Sequence, residues 1–194
     1  GGPSLVGGVF TGTNAISVGN GQYIDAGNGS SLQVTGTITI AAWVKTSSGF
    51  GTRNILSKRD GAGGFEVVYY DGSPSYLNFF LKGGGEQVQY AVNLEDGKWH
   101  YVVGTATSIL GSVPPKVRMR MYLDGKEVGS AIDSNPVQNT SVPLTIGSKG
   151  VSQYWQGVID EVLISTSSFT TAQIQELYAS SKMYREFVSA RMMW

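Results

Sequence analysis

The chain has 194 residues, only 14% of them charged, with 14 basic side chains against 14 acidic ones. That length suits one large domain, and the balanced, scattered charge excludes a nucleic-acid footprint and a polybasic membrane patch. Cysteine is absent, which excludes disulfides, thiolate metal sites and a cysteine nucleophile. Hydrophobic residues make up 41%, enough for a sizeable core, and the 27 glycines are about twice the usual share. No apolar run reaches the roughly 18 residues of a membrane span. The opening "GGPSLVGG" lacks the charged start and apolar core of a signal peptide and reads as a mature or trimmed end.

Along the chain, side chains alternate with period two. In "TITIAAWVKT", Ile38, Ile40, Ala42 and Val44 share one face, and Thr39, Ala41, Trp43 and Lys45 share the other. Strands are expected over Gly64–Asp71, Ser75–Lys82 and Glu86–Val92, separated by "DGSP" and by the glycines at 83–85. "KWHYVVGTA" sets Trp99, Tyr101 and Val103 on one side. "KVRMRMYLD" opposes Val117, Met119, Met121 and Leu123 to Arg118, Arg120 and Tyr122, and Asp124-Gly125 then signals a two-residue hairpin. Val142–Gly147 and Trp155–Ser165 close the strand series. Many short strands with a turn about every ten residues predict an all-β antiparallel sandwich or jelly roll. After "VLIS" the period changes: Thr170 and Gln173 form a capping box, and Ile174, Leu177 and Tyr178 share a helical face. One short C-terminal helix is therefore expected. Residues 1–181 form the domain, and 182–194 are either a helical extension through Tyr184, Phe187 and Val188 or a linker.

Several of these stretches resemble a known family. "GQYIDAGNGSSLQVTGTITIAAWVKT", "DGKWHYVV", "MYLDGKEVG", "LTIGS" and "GVIDEVLIS…FTTAQIQELY" follow, in order, the motifs of laminin-G-like, concanavalin A-like jelly-roll domains. The resemblance implies a sandwich whose closing strand pairs beside the chain's beginning, with the helix over one edge or end. It implies a secreted or cell-surface setting within a larger multidomain chain.

Enzymes of this architecture carry acids spaced as in E-x-D-x-x-E, which sets two carboxyl groups on one strand face about 5.5 Å apart for retention. No such triplet occurs, and the adjacent Asp160 and Glu161 point to opposite faces of a strand. His100, the one histidine, lies inside a strand and reads as a hydrogen-bonded structural residue, which leaves no Ser-His-Asp site and no zinc site. The expected function is a non-catalytic module that binds carbohydrate or a glycosylated protein surface. The alternatives are an adhesive spacer without a small ligand and, less favoured, a glycoside hydrolase.

Three groups of residues are candidates for sites. Arg118, Arg120 and Tyr122 offer guanidinium forks beside a ring, suited to an acidic glycan, and Tyr76, Tyr90 and Trp155 add stacking surfaces. A competing site is the loop end formed by Gly49–Asn54, Asp71–Ser75 and Tyr154–Trp155. Asp25, Asn28 and Asp160 would hold a structural calcium if the first and last strands pair. Without a metal, Asp160 needs backbone amides or a cation, because a bare buried carboxylate is costly.

Overall fold

The computed structural model describes residues 2–10, 12–81, 86–134 and 136–191, with side chains through residue 181. The glycine turn at 83–85 and the side chains of Tyr184, Phe187 and Val188 lie outside the described residues.

Among the described residues thirteen strands form two antiparallel sheets. The seven-stranded sheet runs β1 (Ser4–Gly7), β2 (Asn14–Val18), β13 (Gly157–Ser165), β4 (Ile38–Lys45), β9 (Trp99–Ile109), β10 (Lys116–Leu123), β11 (Lys126–Asp133). The six-stranded sheet runs β3 (Ile24–Gly27), β12 (Leu144–Ile146), β5 (Thr52–Arg59), β6 (Gly64–Tyr70), β7 (Tyr76–Leu81), β8 (Gln87–Ala91). The expected jelly-roll sandwich is the fold observed.

Alternation decides what fills the space between the sheets. Ile38, Ile40, Ala42 and Val44 of β4 meet Val117, Met119 and Met121 of β10 on one side. Phe65, Val67 and Tyr69 of β6 and Leu77, Phe79 and Leu81 of β7 face them from the other. Each fully buried aliphatic or aromatic side chain contributes roughly 1.5–3 kcal/mol. The sheets approach closely at Gly104, where a Cβ would sit 2.9 Å from the Phe79 ring. At the β10–β11 hairpin, Asp124 (φ 51°) and Gly125 (φ 77°) take the left-handed conformation that a two-residue turn requires.

The closing strand β13 pairs with β2 and β4. Its register slips at a bulge between Asp160 and Leu163, where Glu161 takes a φ of 47°. Asp160 is buried, and its two oxygens accept from the backbone amides of Val9 at 2.7 Å and Glu161 at 2.9 Å. Those amides compensate the carboxylate; Glu161 stays exposed.

Helix α1 (Thr171–Arg191) starts at the expected capping box: the Thr170 amide donates to Gln173 Oε1 at 2.9 Å, and the Gln173 amide donates to Thr170 Oγ1 at 3.3 Å. Its backbone continues through the expected boundary at residue 181. Its position differs from the expectation. It lies across the outer face of the seven-stranded sheet instead of an edge, and Ile174, Leu177 and Tyr178 pack on Trp43, Tyr101, Val103 and Tyr122. The cause is the second face of β4, β9 and β10, which carries large aromatics that need cover. Among the described residues no helix is long and apolar enough to cross a membrane.

Candidate functional site: the open face of the six-stranded sheet

Among the described residues no helix lies over the outer face of the six-stranded sheet. Register aligns its side chains in rows across the strands. One row reads Thr145, Ser57, Glu66, Phe80, Gln87 from β12 to β8. A second reads Asn54, Val68, Asn78, Gln89, and a third Thr52, Tyr70, Tyr76, Ala91. The intervening row Leu56, Val67, Phe79, Val88 faces the core.

This face is an aromatic strip set among neutral amides. Tyr70 is 48% exposed, and its cross-strand partner Tyr76 and nearby Phe80 are half-buried. Gln87 and Gln89 are exposed beside them, and Gln89 Nε2 donates to Asn78 Oδ1 at 2.9 Å, which fixes the amide orientation. At the β5 side, Glu66 is buried and accepts from Ser57 Oγ at 3.3 Å, from Lys149 Nζ at 3.1 Å and from Arg59 Nη1. The Arg59 guanidinium stacks on Phe80 at 4.9 Å from the ring centre. Charge and ring are thus neighbours on one surface.

Of the sequence candidates, Tyr76 lies on this strip. Tyr90 does not: it pairs with Leu77, whose side chain is in the core, so its ring turns to the inter-sheet side of edge strand β8 and is 37% exposed. Trp155 is fully buried against Tyr69 and Arg53 and offers no ring to a ligand. Tyr122 is also fully buried beneath α1, its hydroxyl 3.0 Å from Thr171 Oγ1. Arg118 and Arg120 share its face of the seven-stranded sheet, Arg118 exposed and Arg120 3.6 Å from Glu127. The expected arginine–tyrosine surface is broken there, because the helix removed its ring.

The loop end is largely locked from within. Arg53, fully buried, lies over Tyr69 and Trp155 and pairs with Glu95, and Asn54 Nδ2 donates to Gln153 at 2.6 Å. Phe50, 88% exposed, is its one large protruding ring among the described residues.

The calcium candidates do not form one donor set. Asp25 lies on β3 and Asp160 on β13, in different sheets, because β13 pairs with β2 and not with β3. Asp25 accepts from the Gly27 amide at 2.8 Å. Asn28 Oδ1 is 2.5 Å from Lys58 Nζ, which also donates to the carbonyls of Thr140 at 2.9 Å and Val142 at 2.8 Å. A buried ammonium therefore occupies the oxygen cluster, and burial lowers its pKa. Among the described residues no three His, Cys, Asp or Glu side chains gather as metal ligands. His100 has the expected structural role: its two ring nitrogens lie 2.9 Å from Asp124 and 3.1 Å from Asp96.

Sequence reasoning did not select Tyr70, Phe80, Gln87 or Gln89 as site residues, and it missed Arg59 with Lys149 altogether. The signal for the first four was present in "YYDGSPSYLNFF" and "EQVQYAV", where every second residue belongs to the strip. Lys149 lies in a loop after β12, and nothing in its local sequence links it to Arg59.

Comparison with known proteins supports this architecture. No curated protein matches the chain. A carbohydrate-binding module, CBM40 of the Ruminococcus gnavus IT-sialidase bound to α2,3-sialyllactose, matches with TM-score 0.66 at 12% identity, over 84% of this chain and 96% of that one. Domain 4 of AbnA, an extracellular GH43 arabinanase from Geobacillus stearothermophilus, in complex with arabinotriose, matches with TM-score 0.62 at 16% identity, over 92% and 82%. A native heptameric SAP-like pentraxin from Limulus polyphemus matches with TM-score 0.55 at 17% identity, over 79% of each chain. At these identities the likeness is one of fold. The family model for the laminin-G-type concanavalin A-like lectin/glucanases covers residues 18–175, and on that match the chain belongs to the concanavalin A-like lectin/glucanases superfamily.

Proposed function

We propose that this domain is a non-catalytic carbohydrate-binding module that holds a glycan along the open face of the six-stranded sheet. It would serve a secreted or cell-surface protein, carried within a larger chain, as domain 4 is carried by the extracellular arabinanase. The carrying observation is the strip itself: Tyr70 pairs with Tyr76 and Phe80 with Gln87, on rows that flank the Asn78–Gln89 pair. Sugar rings present apolar C–H faces that pack on aromatic rings, and side-chain amides match hydroxyls as both donors and acceptors. Such pockets and faces combine apolar surface with a few placed polar groups. Sugar-bound modules among the structural neighbours support the same reading.

The test is a glycan array followed by calorimetry on the wild type and on Tyr70→Ala with Tyr76→Ala. The expected result is retention of at least one glycan class by the wild type and loss of about tenfold or more in the double variant, since each of the two ring contacts removed is worth roughly 0.5–1.5 kcal/mol. Binding that survives the double variant moves the site elsewhere. A wild type that binds no glycan favours the adhesive spacer.

A further inference from the structure

Resting on the glycan reading, we infer that the ligand carries a carboxylate, seated in a cationic notch at the β5 end of the aromatic strip. The notch has a volume of about 220 Å³ and is lined by Ser57, Arg59, Val142, Pro143, Thr145, Lys149 and Gly150. That is smaller than the roughly 300–1,000 Å³ of a site enclosing a whole small molecule, and it fits a pendant acid group.

Three observations converge on an anion. Arg59 and Lys149 are the charged residues of the lining, and both are engaged with the single carboxylate of Glu66. Two cations on one buried anion leave a net positive charge. Both Glu66 oxygens are engaged, Oε2 by Ser57 and Lys149 and Oε1 by Arg59, whereas the donors are in surplus: the guanidinium has five N–H groups and the lysine ammonium three protons. Finally, the side chains of Arg59 and Lys149 remain 22% and 33% exposed, so an anion can reach them from solvent while Glu66, at 4%, stays beneath.

Position ties the notch to the strip. Arg59 lies over Phe80, and Phe80 is cross-strand from Gln87. A sugar acid whose carboxylate meets Arg59 and Lys149 has its ring directed along Phe80 towards Gln87, Gln89 and Tyr76. Glu66 acts as a positioning residue: it holds the two cations in place from below and touches no ligand. Carboxylate and guanidinium or ammonium form charge-assisted hydrogen bonds, about twice as strong as neutral ones.

The test compares paired probes by calorimetry at low and high salt: trigalacturonate against its methyl ester, and 3′-sialyllactose against lactose. In at least one pair the acid should bind about tenfold more tightly than its neutral twin, in line with a hydrogen bond to a charged group. The ratio should fall towards one in about 0.5 M NaCl and in Lys149→Gln, which leaves Glu66 paired with Arg59 and should melt like the parent. Arg59→Gln should act in the same direction; if it fails to fold, Lys149→Gln carries the test alone. Equal binding of acid and neutral probes overturns the notch and leaves the glycan reading standing. An acid preference that persists in Lys149→Gln and in a folded Arg59→Gln also overturns it and points to Arg118 and Arg120. Absence of binding by both acid probes, in a protein that retains a neutral glycan on the array, overturns the notch alone, whereas absence of binding to these probes and to every glycan of the array overturns both.

Discussion

The two sheets turn similar outer faces to opposite fates. On the seven-stranded sheet, Trp43, Tyr101 and Tyr122 would form a broad aromatic surface, but α1 seals it: Tyr178 stacks on Trp43 at 5.7 Å and on Tyr101 at 6.4 Å. Burial there raises the Tyr101 phenol to about 12, with Glu161 adding to the effect. On the six-stranded sheet, Tyr70, Tyr76 and Phe80 keep part of their rings in solvent. Ring content alone does not mark a binding face. What differs is whether another element of the chain has already used the surface.

The sharpest way to break this comparison is to loosen the seal. Ile174 is fully buried between α1 and the sheet, and Ile174→Ala should cost about 2–5 kcal/mol in chemical denaturation. A cost below about 1 kcal/mol would mean that the helix is an accessory and that the two faces are equivalent. Leu177 is half-buried and should cost less.

Next comes Lys58, which supports the six-stranded side from within. Lys58→Met should destabilise the domain by about 1–3 kcal/mol, because Asn28 Oδ1 and the carbonyls of Thr140 and Val142 lose their shared donor. Denaturation midpoints measure this. An unchanged midpoint would show that those oxygens reach water without it.

On the open face, function and stability should separate. Tyr70→Ala should weaken glycan binding severalfold while shifting stability by no more than about 0.5 kcal/mol, as expected for an exposed substitution. Tyr122→Ala should do the reverse on the sealed face, unfolding the domain readily. If Tyr122→Ala melts like the parent, the helix is not a seal.

The smallest effect concerns pH. The hydrogen bond to Asp124 raises His100 above the usual imidazole value. The folded state therefore favours the protonated ring, so its stabilisation is complete below about pH 6.5 and is lost as pH rises through the raised folded value. The melting difference between the parent and His100→Gln should be largest near pH 6 and shrink as pH rises through that raised value. A difference that grows with pH would assign the histidine another role.

Much of the fold was legible because period-two alternation is a local property. "TITIAAWVKT" and "KVRMRMYLD" disclosed their core faces, and the capping box disclosed where α1 begins. Strand β5 is harder to read, and its start resembles a loop in the sequence. Its inward positions include Arg53 and Lys58, and a bulge between Asn54 and Leu56 breaks the alternation. Charged residues inside a core contradict the simplest pattern until their partners, Glu95 and Asn28, arrive from elsewhere in the chain.

The sequence by itself determined the all-β sandwich, the hairpin at Asp124-Gly125 and the family, since each depends on residues close together in the chain. Tertiary structure alone decided which face stays open, which acid meets which cation and which of the chain's first strands neighbours β13. Sequence alternation says that a face exists, but not what covers it. Tyr122 and Tyr76 occupy equivalent alternating positions in their strands, and only the path of α1 across one sheet makes the first a core residue and leaves the second available to a ligand.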